Sequence, residues 1–305
     1  MDDKTRFFNH LRPRLQAIAY RMLGTVADAE ELVQDVWLRW HEADPEELDS
    51  AEAWLVTVTT RLAIDRLRAA KVQRTHYTGF WLPEPQLTPE DGPASPEQVL
   101  ERADDISMAF LALLERLAPE ARAAFLLREV FDADYAEVAR ALGKSEVACR
   151  QIVSRAKSQL KEGRLRQAVS PDTHYKLLSG FAEAARRGDF ATLQALLAED
   201  AELISDGGGK VPSFGKVLRG AARIAQLYLA VWLRAGKGQL SMHLELVRLN
   251  GQWGLLRFVD GQLESAQGFE SDGARITRIH TQRNPDKLRR IAEAWTVTTT
   301  GGNAS

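Results

Sequence analysis

YAEVARALGKSEVACRQIVSRA, residues Tyr135–Ala156, is the stretch on which the reading of this chain turns. It reads as a helix, a tight turn and a second helix with its polar and basic side chains on one face. Asp134 caps the first helix, and Glu137 stands three residues later, the spacing of a capping box. Gly143 supplies the turn, where the absence of Cβ removes the steric penalty of a left-handed residue. Ser145 caps the second helix. Ala139, Gly143 and Cys149 fall where two crossing helices of a helix-turn-helix need small or apolar side chains. The second helix buries Cys149, Ile152 or Val153, Ala156 and Leu160 on one stripe. It leaves Arg150, Gln151, Ser154, Arg155, Lys157 and Ser158 outside, residue types that reach phosphates and base edges in a major groove. The alternative is an ordinary helical hairpin with a solvated basic face.

The rest of the chain supports a multidomain protein. Its 305 residues suffice for two or three domains, and 45% hydrophobic and 27% charged residues are ordinary for a soluble globular protein. No apolar run approaches the ~18 residues of a membrane helix. The opening MDDKTRFFNH is acidic and lacks an apolar core of signal-peptide length, so secretion is not expected. The single cysteine, Cys149, excludes an internal disulfide, suits a reducing cytoplasm and falls on a buried stripe. A net charge of −2 looks wrong for a nucleic-acid binder, but the charge is unevenly placed. Asp28–Glu52 holds ten acids and one base, Arg61–Arg74 five bases and one acid, and Lys144–Arg166 seven bases and two acids. Local field, not total charge, decides where a polyanion docks.

Five segments follow. Residues 1–75 are helical by pattern, with capping signals at Thr25/Asp28 and Asp49/Glu52 and helical spacing of Leu32, Val33, Val36, Trp37 and Trp40, then of Trp54, Leu55, Val58, Leu62 and Leu67. Residues 76–104 form an acidic, Pro-rich linker: GFWLPEPQLTPEDGPASPEQ holds five of the eleven prolines and no base. Residues 105–168 are helical again and end in the helix-turn-helix. Residues 171–288 change character: HYKLLSGFAEAARRGDFATLQALLA reads as one or two amphipathic helices broken at Gly188, and Asp206–Lys210, DGGGK, as a loop. Asn250-Gly251, Asp260-Gly261 and Asp272-Gly273 are hairpin signals separating four strands of an antiparallel meander, which with the helices makes an α+β layer. The tail, 289–305, holds a short helix to about Trp295 and then frays.

DAEELVQDVWLRW (Asp28–Trp40) followed by EAWLVTVTTRLAIDRLRAAKVQR (Glu52–Arg74) resembles the second domain of sigma factors, and the helix-turn-helix resembles their fourth. Both occur in the right order with a linker of suitable length, so residues 5 to 165 resemble an extracytoplasmic-function sigma factor of the sigma-70 family. The helices-then-meander block resembles the SnoaL-like cone fold. WLPEP (Trp81–Pro85), DGGGK and NPDKL (Asn284–Leu288) resemble signatures of the subgroup that carries this domain fused. The resemblance implies two all-α sigma domains followed by an α+β cone-shaped SnoaL-like domain that replaces a separate anti-sigma protein. It implies that Glu31, Gln34, Asp35 and Arg39 face core RNA polymerase. It implies that Arg61, Asp65, Arg66 and Arg68 handle the −10 element and the melted non-template strand, with Arg61 standing where the family often has asparagine. It implies that Arg150, Gln151, Ser154, Arg155 and Lys157 meet the duplex at the −35 element. The acidic linker would mimic RNA in the polymerase cleft.

Trp81, Leu82 and Pro83 are apolar in an otherwise polar linker, which suggests docking. With Asp206, Gly207, Gly208, Gly209 and Lys210, and with Asn284, Pro285, Asp286, Lys287 and Leu288, they imply an interface between linker and third domain. DGGGK is not a phosphate loop, because G-x-x-x-x-G-K-[ST] is absent, and NPDKL reads as a turn closing the last strand. Asp206, His243, Asp260 and His280 are the candidates for chemistry in the third domain, but no paired carboxylates or Asp/His constellation stands at diagnostic spacing. The expectation is therefore a non-enzyme without metal or cofactor, touching polymerase and promoter DNA but no membrane, with a small-molecule or protein signal at its third domain. A ligand-sensing helix-turn-helix regulator is the alternative.

Overall fold

The computed structural model describes residues 3–74, 77–88, 107–163, 169–238 and 240–301. The linker beyond Thr88, the basic Arg164 and Arg166 and the last four residues lie outside the described residues, as do the side chains of Lys71, Arg74 and Lys161. The chain divides into two compact units.

The first unit is helical. Helices α1 (Asp3–Leu23), α2 (Val26–Glu42) and α3 (Ala51–Arg74) enclose one core. Leu15, Ile18, Met22, Leu32, Val36 and Leu55 fill it, and Trp40 is only 1% exposed. Removing a side chain of that size from such a site costs about 3–5 kcal/mol. Thr25 caps α2 by accepting from the Asp28 amide at 3.3 Å. The cap of α3 falls one residue later than the sequence suggests. Ser50 Oγ accepts from the Ala53 amide at 3.2 Å and Ser50 O from the Trp54 amide at 3.0 Å, so Ser50 rather than Asp49 holds the N-cap.

Helices α4 (Met108–Leu114), α5 (Pro119–Glu129), α6 (Tyr135–Leu142) and α7 (Glu146–Gly163) follow. The capping box on α6 has both bonds: Asp134 Oδ1 accepts from the Glu137 amide at 2.7 Å, and Glu137 Oε2 from the Asp134 amide at 2.9 Å. Gly143 ends α6 at φ 64°, a left-handed C-cap. Ser145 Oγ then accepts from the Ala148 amide at 3.3 Å and starts α7. Cys149, 0% exposed, packs with Val153, Val138, Ala141, Ala124 and Leu127 between the crossing helices.

The second unit is α+β. Helices α8 (Pro171–Arg187) and α9 (Phe190–Leu196) lead into β1 (Leu197–Asp206). Then come β2 (Leu218–Arg219), α10 (Ala221–Gly236), β3 (Met242–Leu249), β4 (Gln252–Val259), β5 (Gln262–Ser271), β6 (Ile276–Gln282) and α11 (Pro285–Gly301). The sheet has six strands in the order β2-β1-β6-β5-β4-β3. The expected meander is present as β3–β6, all antiparallel. The additions are the short β2, antiparallel to β1, and β1 itself, which pairs in parallel with β6, Leu203 beside Ile279 and Ser205 beside Thr281. Asn250 and Gly251 (φ 48° and 74°) and Asp260 and Gly261 (φ 50° and 76°) form the left-handed pairs of tight hairpin turns. Asp272-Gly273 makes a wider turn, its Asp272 carboxylate accepting from the Ala274 and Arg275 amides.

The sheet buries both faces. One carries Leu203, Leu244, Leu255, Phe269 and Ile279 against α8, α9 and α10, with Phe181 edge-on to Phe269 at 5.6 Å. The other carries Leu249, Leu256, Phe258 and Ala266 against Leu288 and Ile291 of α11, and against Met108, whose first turn of α4 belongs to this second unit. The expected short tail helix is thus longer and begins earlier. NPDKL is its N-terminus, with Asn284 Oδ1 accepting from the Asp286 amide at 3.1 Å and Pro285 in the first turn.

Candidate functional site

The basic face of α7 is intact in the helical unit. Arg150, Gln151, Ser154, Arg155 and Lys157 are all exposed and lie opposite the stripe of Cys149, Val153 and Ala156. Arg150 pairs with Glu146 at 2.8 Å and lies 4.7 Å from the centre of the Tyr135 ring, and Lys157 pairs with Glu129 at 2.6 Å. Exposed pairs of this kind are worth about 0–1 kcal/mol each. They hold the side chains near the surface without opposing transfer to a phosphate.

On α3 the predicted residues meet other parts of the same unit. Arg61 donates from Nε to Ala141 O at 3.0 Å and from Nη2 to Arg140 O at 2.8 Å, satisfying two last-turn carbonyls of α6. Arg68 pairs with Asp65 at 3.1 Å and Glu120 at 2.6 Å. The Glu120 carboxyl is held below its usual range by its bond to Lys144, with Arg68 adding to the effect. Arg66 donates to Asp28 O at 3.1 Å, pairs with Asp35 at 2.5 Å and lies 3.5 Å from Glu31. The structure therefore joins two sets that the sequence reading kept apart, Glu31 and Asp35 of α2 with Arg66 of α3. Gln34 and Arg39 remain exposed on α2, beside Leu38, which is 61% exposed.

In the α+β unit WLPEP, DGGGK and NPDKL come together around one carboxylate. Asp206, at the end of β1, is 0% exposed. It accepts from Tyr77 Oη at 2.7 Å, the Leu82 amide at 2.9 Å, the Gly208 amide at 2.9 Å and Lys287 Nζ at 2.8 Å. Gln282 Nε2 approaches it at 3.3 Å and also donates to Leu82 O and Pro83 O, each at 3.1 Å. Lys287 Nζ donates to Leu82 O at 2.6 Å and sits 4.1 Å from the centre of the Trp81 ring, a cation–π distance. Each buried charge thus faces an opposite charge and several neutral partners, which a buried ion pair requires. Burial, then the bond to Asp206, pushes the Tyr77 hydroxyl pKa upward, so it stays a neutral donor.

The glycines shape this clamp. Gly208 is left-handed at φ 63°, and a Cβ there would lie 2.4 Å from Asn284 Nδ2, which donates to Tyr77 Oη at 3.1 Å. A Cβ at Gly207 would lie 2.3 Å from Val211 O. Gly209 is also left-handed, beside Thr78. Lys210 pairs with Asp286 at 2.6 Å on the exposed rim, and Leu288 turns into the core below. Further along, the Thr88 amide donates to Arg248 O at 2.9 Å, Asn250 N to Gln86 O at 2.9 Å, and Leu87 bridges Leu249, so Tyr77–Thr88 runs as a strap over the sheet. Sequence reasoning missed Tyr77, Gln282 and Asn250. The Asn-Gly at 250 signalled only its turn, and nothing local marked the other two.

The four residues considered for chemistry are each held separately. Asp206 is the clamp's acceptor. His243 is exposed and paired with Glu245, Asp260 accepts from the Ser241 amide at 2.7 Å, and His280 meets Glu270 at 2.8 Å. Among the described residues no cluster of His, Cys, Asp and Glu could hold a metal, and no helix is long and apolar enough to cross a membrane.

Comparison with known proteins agrees with this geometry. Residues 7–72 match the family model of Sigma-70 region 2, and residues 107–160 that of Sigma-70, region 4. The chain is 37% identical over 292 residues to the ECF RNA polymerase sigma factor SigJ of Mycobacterium tuberculosis (strain ATCC 25618 / H37Rv), covering 92% of each chain. It is 29% identical over 283 residues to the probable ECF RNA polymerase sigma factor SigI of Mycobacterium tuberculosis (strain CDC 1551 / Oshkosh), covering 91% of this chain and 92% of that one. The crystal structure of Mycobacterium tuberculosis SigJ superposes with a TM-score of 0.74 at 33% identity, over 93% of this chain and 98% of that one. With region 2 and region 4 matched in order, and a relative of this identity sharing the α+β extension as well as the helices, the chain belongs to the extracytoplasmic-function (ECF) RNA polymerase sigma factors.

Proposed function

We propose that this sigma factor docks on core RNA polymerase through α2, opens the −10 element with α3 and reads the −35 element with α7, while its own α+β domain governs whether it can do so. On this reading Glu31, Gln34, Asp35 and Arg39 meet the polymerase. Arg61, Asp65, Arg66 and Arg68 hold the displaced strand, where positive side chains track the backbone. Arg150, Gln151, Ser154 and Arg155 carry base readout, a good bidentate contact being worth about 1–3 kcal/mol. Lys157 adds phosphate contact and salt dependence. Strand handling requires Arg61 and Arg68 to leave the α6 carbonyls and Glu120. The arrangement described above is then a closed one that promoter opening must undo.

The observation that carries the regulatory part is the burial of the linker segment Trp81–Pro85 against Asp206 and Lys287. A linker whose first residues are fixed to the α+β domain leaves less chain with which to place the two helical modules on polymerase and DNA. The test is run-off transcription with core polymerase and a cognate promoter, comparing full-length protein with Lys287→Met. The expected result is a changed yield for Lys287→Met and a lost start site for Arg150→Glu with Arg155→Glu. Unchanged transcription by Lys287→Met would remove the regulatory reading. Failure of the full-length protein to bind core polymerase at low salt would remove the whole.

A further inference from the structure

The α+β unit contains a cavity of about 400 Å³ between α10 and the sheet face opposite the clamp. That volume lies within the range of ~300–1,000 Å³ typical of small-molecule sites. Leu203, Leu227, Val231 and Phe214 give it apolar walls, and Phe214 at its edge is among the exposed large apolar side chains. Two buried or half-buried guanidiniums, Arg257 and Arg283, share one carboxylate, Glu264, among its lining residues. Arg257 reaches Glu264 at 2.7 Å from Nε and 2.6 Å from Nη2, and Arg283 at 2.6 Å from Nε. Burial alone would raise the Glu264 pKa, but the two guanidiniums outweigh it and hold the carboxylate ionised. Two positive charges against one negative leave this group of three with one uncompensated positive charge. Thr281 also lines the cavity, and its buried hydroxyl has no hydrogen-bond partner among the described residues. A buried unsatisfied hydroxyl beside excess positive charge is costly in an apolar hollow.

We propose that this cavity is a binding site for a small amphipathic carboxylic acid, its carboxylate at Arg257, Arg283 and Thr281 and its hydrocarbon body along Leu227 and Val231. A carboxylate supplies the acceptor that the Thr281 hydroxyl lacks and the negative charge that the guanidiniums leave unbalanced. An alcohol supplies only the first, and an amine is repelled.

The site is wired to the clamp by the chain itself. Arg283 stands between Gln282 and Asn284, both clamp residues, and its amide donates to Asp206 O at 2.7 Å. Its guanidinium also donates to Pro212 O, in the loop that runs from Asp206 to Phe214. That loop has Asp206 and Gly208 on the linker strap at one end and Pro212, Ser213 and Phe214 on the cavity at the other. A ligand that draws Arg283 or Phe214 toward itself therefore shifts the grip on Leu82. This coupling deepens the proposed control of the sigma domains and rests on that reading, whereas occupation of the cavity does not.

The test uses full-length protein and decanoate below its aggregation concentration, with decanol and decylamine as head-group controls, followed by titration calorimetry. The expected result is one decanoate per chain, bound at least tenfold more tightly than decanol, with no decylamine binding. Val231→Trp, which fills the cavity, and Arg283→Met should each reduce decanoate binding at least tenfold, their folding being checked by thermal melting. If one variant does not fold, the other decides. Equal binding of all three probes, or binding undiminished by either folded variant, overturns the site. Hydrogen exchange of residues 77–88 should change on adding decanoate, and no change would overturn the coupling. The titration contains neither polymerase nor DNA, so its failure leaves the sigma-factor reading standing, and a transcription failure leaves the site standing.

Discussion

Asp206→Asn removes one charge from the centre of the clamp and changes almost nothing in size. Five donors converge on the carboxylate: Tyr77 Oη, the Leu82 and Gly208 amides, Lys287 Nζ and, more distantly, Gln282 Nε2. The single carbonyl oxygen of an asparagine satisfies about two of them. Its NH2 group then faces donors, and the buried Lys287 ammonium loses the carboxylate it meets at 2.8 Å. Removing one partner of a buried pair costs about 3–5 kcal/mol. For a unit of this size each kcal/mol lowers the melting temperature by about 2–4 °C, so the α+β transition should fall by about 6–20 °C. The Leu82 amide, which donates to Asp206, should lose hydrogen-exchange protection to a similar extent. Adding Lys287→Met should recover part of the loss, because the buried charge that faced Asp206 is then gone as well. An Asp206→Asn penalty below about 1 kcal/mol, or a Leu82 amide that stays protected, would refute the view that this carboxylate holds the linker.

Gly208→Ala should loosen the same clamp by another route, since its Cβ would collide with Asn284 at 2.4 Å, and proteolysis within Tyr77–Thr88 should accelerate. Gly143→Ala meets no neighbour but places a Cβ on a left-handed residue, so urea unfolding of the helical unit should show a loss of about 1–2 kcal/mol. Burial lowers the His174 pKa from its ordinary 6.5, while its bond to Trp253 O at 3.1 Å only partly offsets this. The unfolded chain therefore takes up the proton first on acidification. The stability contributed by neutral His174 is complete above pH 6.5 and declines as pH falls toward the lower folded-state value. Urea unfolding at pH 7.5 and pH 5.5 should show this decline in the wild type and a smaller one in His174→Gln, and equal declines would refute it.

Much of the helical unit was legible because its signals are short-range. The α6 capping box, the Gly143 turn and the Ser145 cap each act over about four residues. The tight turns at Asn250-Gly251 and Asp260-Gly261 are likewise local, and they gave the meander. Strand β1 was not legible: LAEDAELISD carries consecutive acids and no clean alternation, and its partner β6 lies more than seventy residues further on. The start of α11 was misread because Asn-Pro serves a turn and a helix cap equally well. At the candidate site the exposed residues of α7 could be listed from helical periodicity alone. What Arg61 and Arg68 touch could not, because their partners on α5 and α6 are fixed only by tertiary packing. The three short motifs of the α+β unit were found as words, but their common centre at Asp206 needed Tyr77 and Gln282, which no pattern marks.

The parallel pairing of β1 with β6 also sets an order of events during synthesis. The carboxylate at the end of β1 must wait for Lys287, whereas every described helix of the first unit is complete by Gly163. At translation speeds of ~5–20 residues per second, the intervening 124 residues (287 − 163) take roughly 6–25 s to appear. A nascent chain therefore spends that interval with its region 2 and region 4 helices already made and the Asp206–Lys287 clamp still unbuilt. The grip on the linker is therefore timed by the pace of the ribosome over the last two-fifths or so of the message.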